Sequence, residues 1–261
     1  YNAIIHHYAT RYSVPYVLQA HGSIPRKGKR ELKWFYDVMF GYKLLRDSSK
    51  VIALSRVEAE QYEAMGVPKE KITIIPNGID LSEYANMPPK GRFRKKLNIP
   101  EDKRIVLYLG RIHKCKGIDF LIKAYAYLIN NIKHNDVVLV IAGPDDGYLN
   151  NAVKMTRCLK ISDKVIFTGM LSEDEKIAAY HSSSIVVNVE PENVFGLVPL
   201  EAAACAKPVI VSNGNAISKI VKEGKFGFSV EYDDIDELAV KMNKLLNDEC
   251  LLRQMGENGY K

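Results

Sequence analysis

A basic loop follows one of the apolar runs of this 261-residue sequence. The run IVLYLG at 105–110 leads into RIHKCKG at 111–117, where Arg111 and Lys116 lie five residues apart. A guanidinium binds phosphate bidentately, whereas an ammonium attracts it as a point charge. The pair is therefore suited to hold a diphosphate, and the alternative that stays open is two solvent-facing cations near a turn.

A carboxylate stands inside a second, mostly apolar stretch. The residues FGLVPLEAAACAKPVI at 195–210 place Gly196 at a strand-to-helix transition and predict a helix over 198–206. The N-terminus of a helix favours an anion. Glu201 lies about one turn into this apolar helix, where a charge without a binding partner is unexpected. It is placed to accept hydrogen bonds from a ribose 2′,3′-diol beside a bound diphosphate; the alternative is an acid that only interacts with the helix dipole.

Several other chemistries find no support in the sequence. No G-x-G-x-x-G follows a predicted strand and no G-x-x-x-x-G-K-[ST] occurs, so neither a nicotinamide dinucleotide fold nor a phosphate-loop NTPase is indicated. The four cysteines are scattered without a C-x-x-C pair. This spacing predicts reduced thiols in a cytoplasmic protein, and it argues against a disulfide framework or a zinc site.

The elements that must position these residues are short apolar runs separated by helical patterns. The runs are nearly continuous rather than alternating, which is typical of parallel strands buried on both faces. Helical patterns span 118–132, 172–182 and 235–246, and Ser172 with Glu175 forms a capping box. The alternation predicts an α/β protein with doubly wound parallel sheets. The predicted strands are 16–20, 51–55, 72–76, 105–110, 137–143, 165–169, 185–189 and 209–212.

Domain organisation follows from a stretch rich in proline and basic residues. We predict a partial N-terminal domain over 1–88, a linker over 89–102 and a complete C-terminal domain over 103–261. Two facing domains of this kind form a cleft at the carboxyl ends of their strands. The first domain shows only three strands, and the sequence has neither an initiator Met nor a secretion signal at its start. We therefore expect that its natural N-terminus is missing.

The positive charge is concentrated near the start of the chain. Residues 1–50 carry nine Lys/Arg against three Asp/Glu, which accounts for the net charge of +6 because the rest carries 28 of each sign. The segment Pro25–Arg46 mixes basic with aromatic residues. It is either a solvated basic loop leading into a packed helix or a peripheral contact with an anionic membrane. No apolar run approaches the ~18 residues that a membrane span requires, and we expect a cytoplasmic protein, with the second alternative placing it on the inner face of the membrane.

The sequence resembles retaining glycosyltransferases of family 4, which have the two-domain GT-B fold. The resemblance covers nearly the whole chain, because eight motifs occur in the order of the family. They are QAHGS (19–23), KVIALS (50–55), IPNGID (75–80), YLGRIHKCKGIDFLIKAY (108–125), VIAGP (140–144), FTGML (167–171), FGLVPLEAAACAKPVI (195–210) and LAVKMNKLL (238–246). The N-terminal domain is then the acceptor-side domain, incomplete here, and the C-terminal domain binds the nucleotide sugar.

The resemblance implies a role for individual residues. Arg111 and Lys116 match the pair that holds the donor diphosphate, beside backbone N–H groups of Gly196 and Leu197. Glu201 matches the second acid of the E-x7-E motif, which binds the donor ribose. Because these groups neutralise the leaving diphosphate, no metal or other cofactor is expected.

Two further regions are assigned by the same resemblance. Gly169, Met170 and Leu171 match the backbone stretch that meets the nucleobase. His21 matches the cleft histidine near the transferred sugar, as a positioning and electrostatic residue; a histidine satisfied at a strand end is the alternative.

The first acid of the E-x7-E motif is altered. Asn193 stands at its position, with Glu192 beside it and Glu190 nearby. Either Asn193 performs a reduced version of the role, or the loop bulges at Val194 and Glu192 takes the catalytic place. Ala206 also replaces a glycine that is usual before KPVI.

These residues predict an enzyme that transfers a hexose from a nucleoside-diphosphate sugar to a hydroxyl of a lipid or glycan acceptor, with retention of configuration. Nucleic acid is not an expected partner. A catalytically weakened or non-catalytic nucleotide-sugar-binding relative is the main alternative, because Asn193 carries no charge. A sugar-nucleotide epimerase of the same fold is a third.

Overall fold

The computed structural model describes residues 2–20, 41–85, 88–89, 91–191, 195–214 and 216–261. The chain divides into two compact units. Among the described residues, the first unit falls within Tyr1–Gly78 and Asn193–Phe195, and the second within Ile79–Glu192 and Gly196–Lys261.

The first unit contains a three-stranded parallel sheet in the order β1-β2-β3. Its small core includes Val51 and Ala53 of the central strand and the fully buried Tyr62. Ser55 caps the helix after β2 by accepting a hydrogen bond from the Glu58 N–H. The elements are α1 (Asn2–Arg11), β1 (Val17–Gln19), α2 (Tyr42–Asp47), β2 (Lys50–Ala53), α3 (Arg56–Ala64) and β3 (Ile72–Ile74).

The second unit contains a six-stranded parallel sheet in the order β6-β5-β4-β7-β8-β9. The strands are β4 (Arg104–Leu109), β5 (Val137–Ala142), β6 (Val165–Gly169), β7 (Ile185–Asn188), β8 (Val209–Ser212) and β9 (Gly227–Val230). The chain runs outward from β4 to β6 and then returns to place β7 on the other side of β4. The carboxyl ends of β4 and β7 therefore flank the point where strand order reverses, which is the ligand-binding position of open α/β sheets.

Helices cover both faces of this sheet because its strands are apolar on both sides. One buried cluster includes residues of α5, α6 and α10, and the other includes residues of α4, α7, α8 and α9. The predicted doubly wound α/β architecture is thus confirmed. The helices are α4 (Arg92–Leu97), α5 (Ile118–Asn130), α6 (Leu149–Cys158), α7 (Glu173–Ser182), α8 (Val198–Ala204), α9 (Ala216–Gly224), α10 (Ile235–Asn247) and α11 (Glu249–Tyr260).

The segment predicted as a linker, 89–102, contains helix α4. Its Phe93 and the following Ile99 are 2% and 5% exposed, and both pack into the core of the second unit. The division at 88 and 103 stays a prediction.

The eight predicted strands coincide with β1 to β8, and the capping box of Ser172 and Glu175 is present at the start of α7. Strand β9 was missed. It lies at the edge of the sheet, and three of its four residues are only partly buried. Its sequence therefore lacks the continuous apolar run that marks the other strands.

The helix predicted over 198–206 ends earlier, at Ala204. Ala206 then takes a left-handed conformation with φ of 53°, and its N–H donates to the Ala203 carbonyl over 2.8 Å. The Lys207 N–H donates to the Ala202 carbonyl over 2.9 Å. This is a helix end at which glycine is usual, because a Cβ is disfavoured in the left-handed region.

Replacing Ala206 by glycine is expected to stabilise the protein by about 0.5–1 kcal/mol, because the left-handed penalty is relieved at an exposed position. Urea denaturation monitored by circular dichroism measures the change. Ala203→Gly, at a buried position inside helix α8, is the control and should destabilise by about 1–2 kcal/mol, because glycine disfavours the helix and a buried methyl group is lost. A loss of stability in Ala206→Gly would contradict the prediction.

Candidate functional site

The loops after β4 and β7 touch backbone to backbone. Gly117, at the end of the first loop, has a φ of 68°, and a Cβ added there would overlap the carbonyl oxygen of Val189 in the second loop. Only a residue without a side chain permits this approach. The two loops are therefore held together beside the point where strand order reverses.

The first loop is also tied to the loop after β5. The Ile112 N–H donates to the Pro144 carbonyl over 2.8 Å, and the Asp146 N–H donates to the Ile112 carbonyl over 3.0 Å. The Arg111 guanidinium donates to Asp146 Oδ2 over 2.6 Å, with side chains 62% and 42% exposed. Arg111 is thus held by a neighbouring loop while it remains open to solvent.

Lys116 pairs with a carboxylate that the sequence analysis did not assign. Its Nζ donates to Oε1 of Glu190, which lies two residues beyond the end of β7. The Lys116 side chain is 26% exposed and that of Glu190 is 13% exposed. The Ser212 hydroxyl donates to the Glu190 carbonyl over 2.5 Å, which fixes the backbone there. The position of Glu190 directly after a strand was the signal available in the sequence.

Glu201 belongs to a separate polar cluster. Its Oε2 accepts a hydrogen bond from the Tyr180 hydroxyl over 2.6 Å, and its Oε1 lies 3.5 Å from the Lys176 ammonium. Its side chain is 13% exposed. The two partners come from α7, so the carboxylate is held between helices α7 and α8. A carboxylate has about four acceptor positions, which leaves room for further donors.

The pKa values around Glu201 reflect burial and its charge. Burial, and then the negative charge of Glu201, raise the pKa of Tyr180 well above its ordinary value. The same two causes raise the pKa of Tyr84 to about 12. Burial alone would lower the pKa of Lys176, but its hydrogen bond to Glu173 and the charge of Glu201 raise it overall. Both tyrosines therefore stay protonated at neutral pH and act as donors or apolar contacts.

The stretch predicted to meet a nucleobase lies at the end of β6. Gly169 has a positive φ of 72°. Met170 is 79% exposed, whereas Leu171 is partly buried against the core of the second unit. At the start of α8, Gly196 is partly buried and Leu197 is 38% exposed.

Three of the predicted residues cannot be placed. His21, Glu192 and Asn193 lie outside the described residues, as do residues 25–40 of the segment Pro25–Arg46. The described end of that segment belongs to α2, where Leu44 and Leu45 are buried.

Two general features concern metals and membranes. In the ranges that the structure describes, no group of three or more His, Cys, Asp or Glu side chains is arranged to hold a metal ion. None of the helices within those ranges combines the length and apolar character that crossing a bilayer demands. All four cysteines are free, and burial raises the pKa of Cys205 to about 11.

Two parallel sheets, with cations and an acid at the carboxyl edge of the second, correspond to the GT-B fold of solved glycosyltransferases. The chain belongs to the family of glycosyl transferases group 1, whose sequence model matches residues 89–261. The model of a glycosyl transferase 4-like domain matches residues 2–78.

Curated relatives are similar over most of this chain. An uncharacterized glycosyltransferase of Methanocaldococcus jannaschii is 31% identical over 208 residues, which cover 77% of this chain and 52% of that protein. A D-inositol 3-phosphate glycosyltransferase of Nocardia farcinica is 27% identical over 259 residues, which cover 97% of this chain and 55% of that protein. The chain spans about half the length of the curated relatives it matches.

Solved glycosyltransferases share the fold. HepE of Anabaena in complex with UDP superimposes with a TM-score of 0.87 at 21% identity, covering 99% of this chain and 70% of that one. A sucrose-phosphate synthase of Thermosynechococcus elongatus gives a TM-score of 0.78 at 27% identity, covering 97% of this chain and 64% of that one.

Proposed function

We propose that the protein transfers a hexose from a nucleoside-diphosphate sugar to a hydroxyl acceptor with retention of anomeric configuration. One observation carries the proposal. Arg111 follows β4 directly, and Lys116 reaches Glu190 in the loop after β7, so both cations lie at the edge where strand order reverses. Such an edge binds the phosphates of nucleotides in open α/β sheets.

The two cations would stabilise the leaving diphosphate. Negative charge develops on the β-phosphate as the glycosidic bond breaks, and fixed donors aimed at that charge lower the barrier. Arg111 offers a planar fork and Lys116 a point charge, with the N–H groups of Gly196 and Leu197 as further donors. We therefore propose that the reaction proceeds without a bound metal or other cofactor.

The remaining donor contacts are assigned to the same unit. Glu201 would accept hydrogen bonds from the ribose diol, and Gly169, Met170 and Leu171 would meet the base. The exposed Met170 supports a ligand contact at the end of β6, whereas Leu171 would contribute through its backbone. HepE was solved in complex with UDP and with UDP-glucose, which favours a uridine nucleotide here too.

The sugar and acceptor contacts rest on the family resemblance. We assign His21 to positioning the transferred sugar and Asn193 or Glu192 to the place of the altered acid. The acceptor is a lipid or a glycan, reached from the cytoplasm. Because several curated relatives are D-inositol 3-phosphate glycosyltransferases, a phosphorylated cyclitol belongs in the acceptor panel as well.

A turnover assay tests the proposal. The protein is incubated with UDP-, GDP- and ADP-sugars and with lipid, glycan and inositol phosphate acceptors, and the product is analysed by NMR. We expect a glycoside with the anomeric configuration of the donor. Nucleotide binding without turnover would favour the non-catalytic alternative, and epimerised donor without acceptor would favour an epimerase.

Tyr180→Phe is expected to weaken nucleoside-diphosphate binding about threefold to tenfold, because the lost hydrogen bond no longer orients the Glu201 carboxylate. The preference for a ribose over a 2′-deoxyribose nucleotide should shrink in parallel. Calorimetry with UDP and dUDP measures both.

Tyr125→Phe provides the matched control. Tyr125 is equally buried, and its hydroxyl lies 2.9 Å from the Val137 carbonyl and 3.1 Å from the Lys164 carbonyl as a donor, on a different face of the sheet. Both variants should lose a similar amount of stability, about 1 kcal/mol, but only Tyr180→Phe should change the ribose preference. An unchanged preference in Tyr180→Phe would show that the tyrosine has only a structural role.

A further inference from the structure

Both cations assigned to the donor diphosphate already hold a carboxylate of the chain itself. Arg111 pairs with Asp146 from the loop after β5, and Lys116 pairs with Glu190 from the loop after β7. These four residues come from three loops at one edge of one sheet. Each cation that would bind the diphosphate of a ligand is therefore already paired with a carboxylate of the protein.

The pair between Lys116 and Glu190 is the more consequential of the two. Its side chains are 26% and 13% exposed, whereas those of Arg111 and Asp146 are 62% and 42% exposed. Exposed ion pairs are screened by water and contribute little to stability. Removing one partner of a partly buried ion pair costs more stability, because the remaining charge is left uncompensated. Lys116 thus has a strong need for a counter-charge, which Glu190 supplies.

The backbone keeps Glu190 beside Lys116. Val189 is pressed against Gly117, and the Ser212 hydroxyl holds the Glu190 carbonyl. The glutamate side chain has three rotatable bonds beyond this anchor, so the carboxylate can leave Lys116 while its backbone stays fixed. The ion pair can open without any change in the sheet.

We propose that Glu190 is an affinity-setting residue of the donor site, whose carboxylate holds Lys116 until the diphosphate displaces it and returns when the nucleotide product leaves. This inference rests on the proposed function. Donor binding is then an exchange of one anion for another at Lys116. The exchange weakens binding of the diphosphate and speeds its release, because Glu190 competes for the same ammonium.

Calorimetry of Glu190→Gln with UDP, GDP and ADP tests the exchange. The amide keeps the size of the side chain but loses its charge. Lys116 then has no counter-ion within the protein, and only the ligand can provide one. We expect the best-binding nucleotide to bind about tenfold more tightly. Its uncharged nucleoside should bind the variant and the wild-type protein equally, because it brings no phosphate.

Glu249→Gln is the matched control. Glu249 pairs with Arg104 over 3.2 Å at the opposite end of β4, and its replacement changes the net charge by the same amount. It should leave nucleotide affinity unchanged. Thermal unfolding of all three proteins shows whether each is folded at the temperature of the titration.

The outcomes separate the two proposals. If the wild-type protein binds none of the three nucleotides, the proposed function is overturned and the exchange with it. If it binds one of them and Glu190→Gln binds no more tightly than Glu249→Gln, the exchange alone is overturned. Tighter binding of the nucleoside by Glu190→Gln would likewise overturn it, since the effect would not depend on phosphate.

Discussion

Lys116→Ala is expected to weaken nucleoside-diphosphate binding about 100-fold, because a charge-assisted contact contributes about 1.5–3 kcal/mol. The loss should be at the upper end of this range. Without the ammonium, the partly buried carboxylate of Glu190 faces the incoming phosphates with no compensating charge. Calorimetry with UDP, GDP and ADP measures the affinity, and sugar transfer should fall at least as far.

Lys114→Ala is the control for Lys116. The two lysines lie in the same short 3-10 turn, but Lys114 is exposed. Its removal changes the net charge equally and should alter affinity less than about threefold, as expected for a screened surface charge. Equal losses in both variants would mean that the loop acts only through its general positive potential, and the assignment of Lys116 would be wrong.

Gly117→Ala is expected to destabilise the second unit by about 3 kcal/mol. A left-handed backbone costs a non-glycine residue about 1–2 kcal/mol, and relieving a steric overlap adds a similar amount. Here the added methyl group would overlap the Val189 carbonyl, so the loops after β4 and β7 must move apart. Thermal unfolding measures the loss, and nucleotide binding should weaken as well because Lys116 precedes this residue.

Gly147→Ala separates the two causes. Gly147 also has a positive φ, 84°, but a Cβ added there meets nothing within 4 Å. It should therefore show only the backbone penalty, about 1–2 kcal/mol. If Gly117→Ala lowers the stability no more than Gly147→Ala does, the close approach of the loops after β4 and β7 does not constrain the site.

The sheet could be predicted from the sequence because burial on both faces leaves continuous apolar runs. The loop that carries Arg111 and Lys116 could be recognised for a related reason, since its cations directly follow such a run. Strand β9 could not, because its four residues, GFSV, contain no continuous apolar run. The early end of α8 was also missed, since alanine at position 206 gives no local signal for a left-handed residue.

The partners of the candidate residues were less accessible to sequence reasoning. Glu190 contacts Lys116 only because β7 lies beside β4 in the sheet. The order of strands in a sheet cannot be predicted from the local periodicity of the sequence. In the sequence, Tyr180 looks like an ordinary core tyrosine, and only the packing of α7 near α8 brings its hydroxyl to Glu201. Each contact depends on the tertiary arrangement of segments distant in sequence.

The pairing of β4 with β7 has a consequence for how the protein acquires its activity. Val106 lies opposite Ile185, so this register closes a loop of nearly eighty residues, whereas β4 and β5 are joined by a single helical crossover. Closing the longer loop costs more chain entropy, and such nonlocal pairing slows folding. The half-sheet of β4, β5 and β6 can therefore form while Lys116 still has no Glu190 beside it. During refolding, nucleotide binding should appear later than helical and strand structure, because it requires the pairing of β4 with β7.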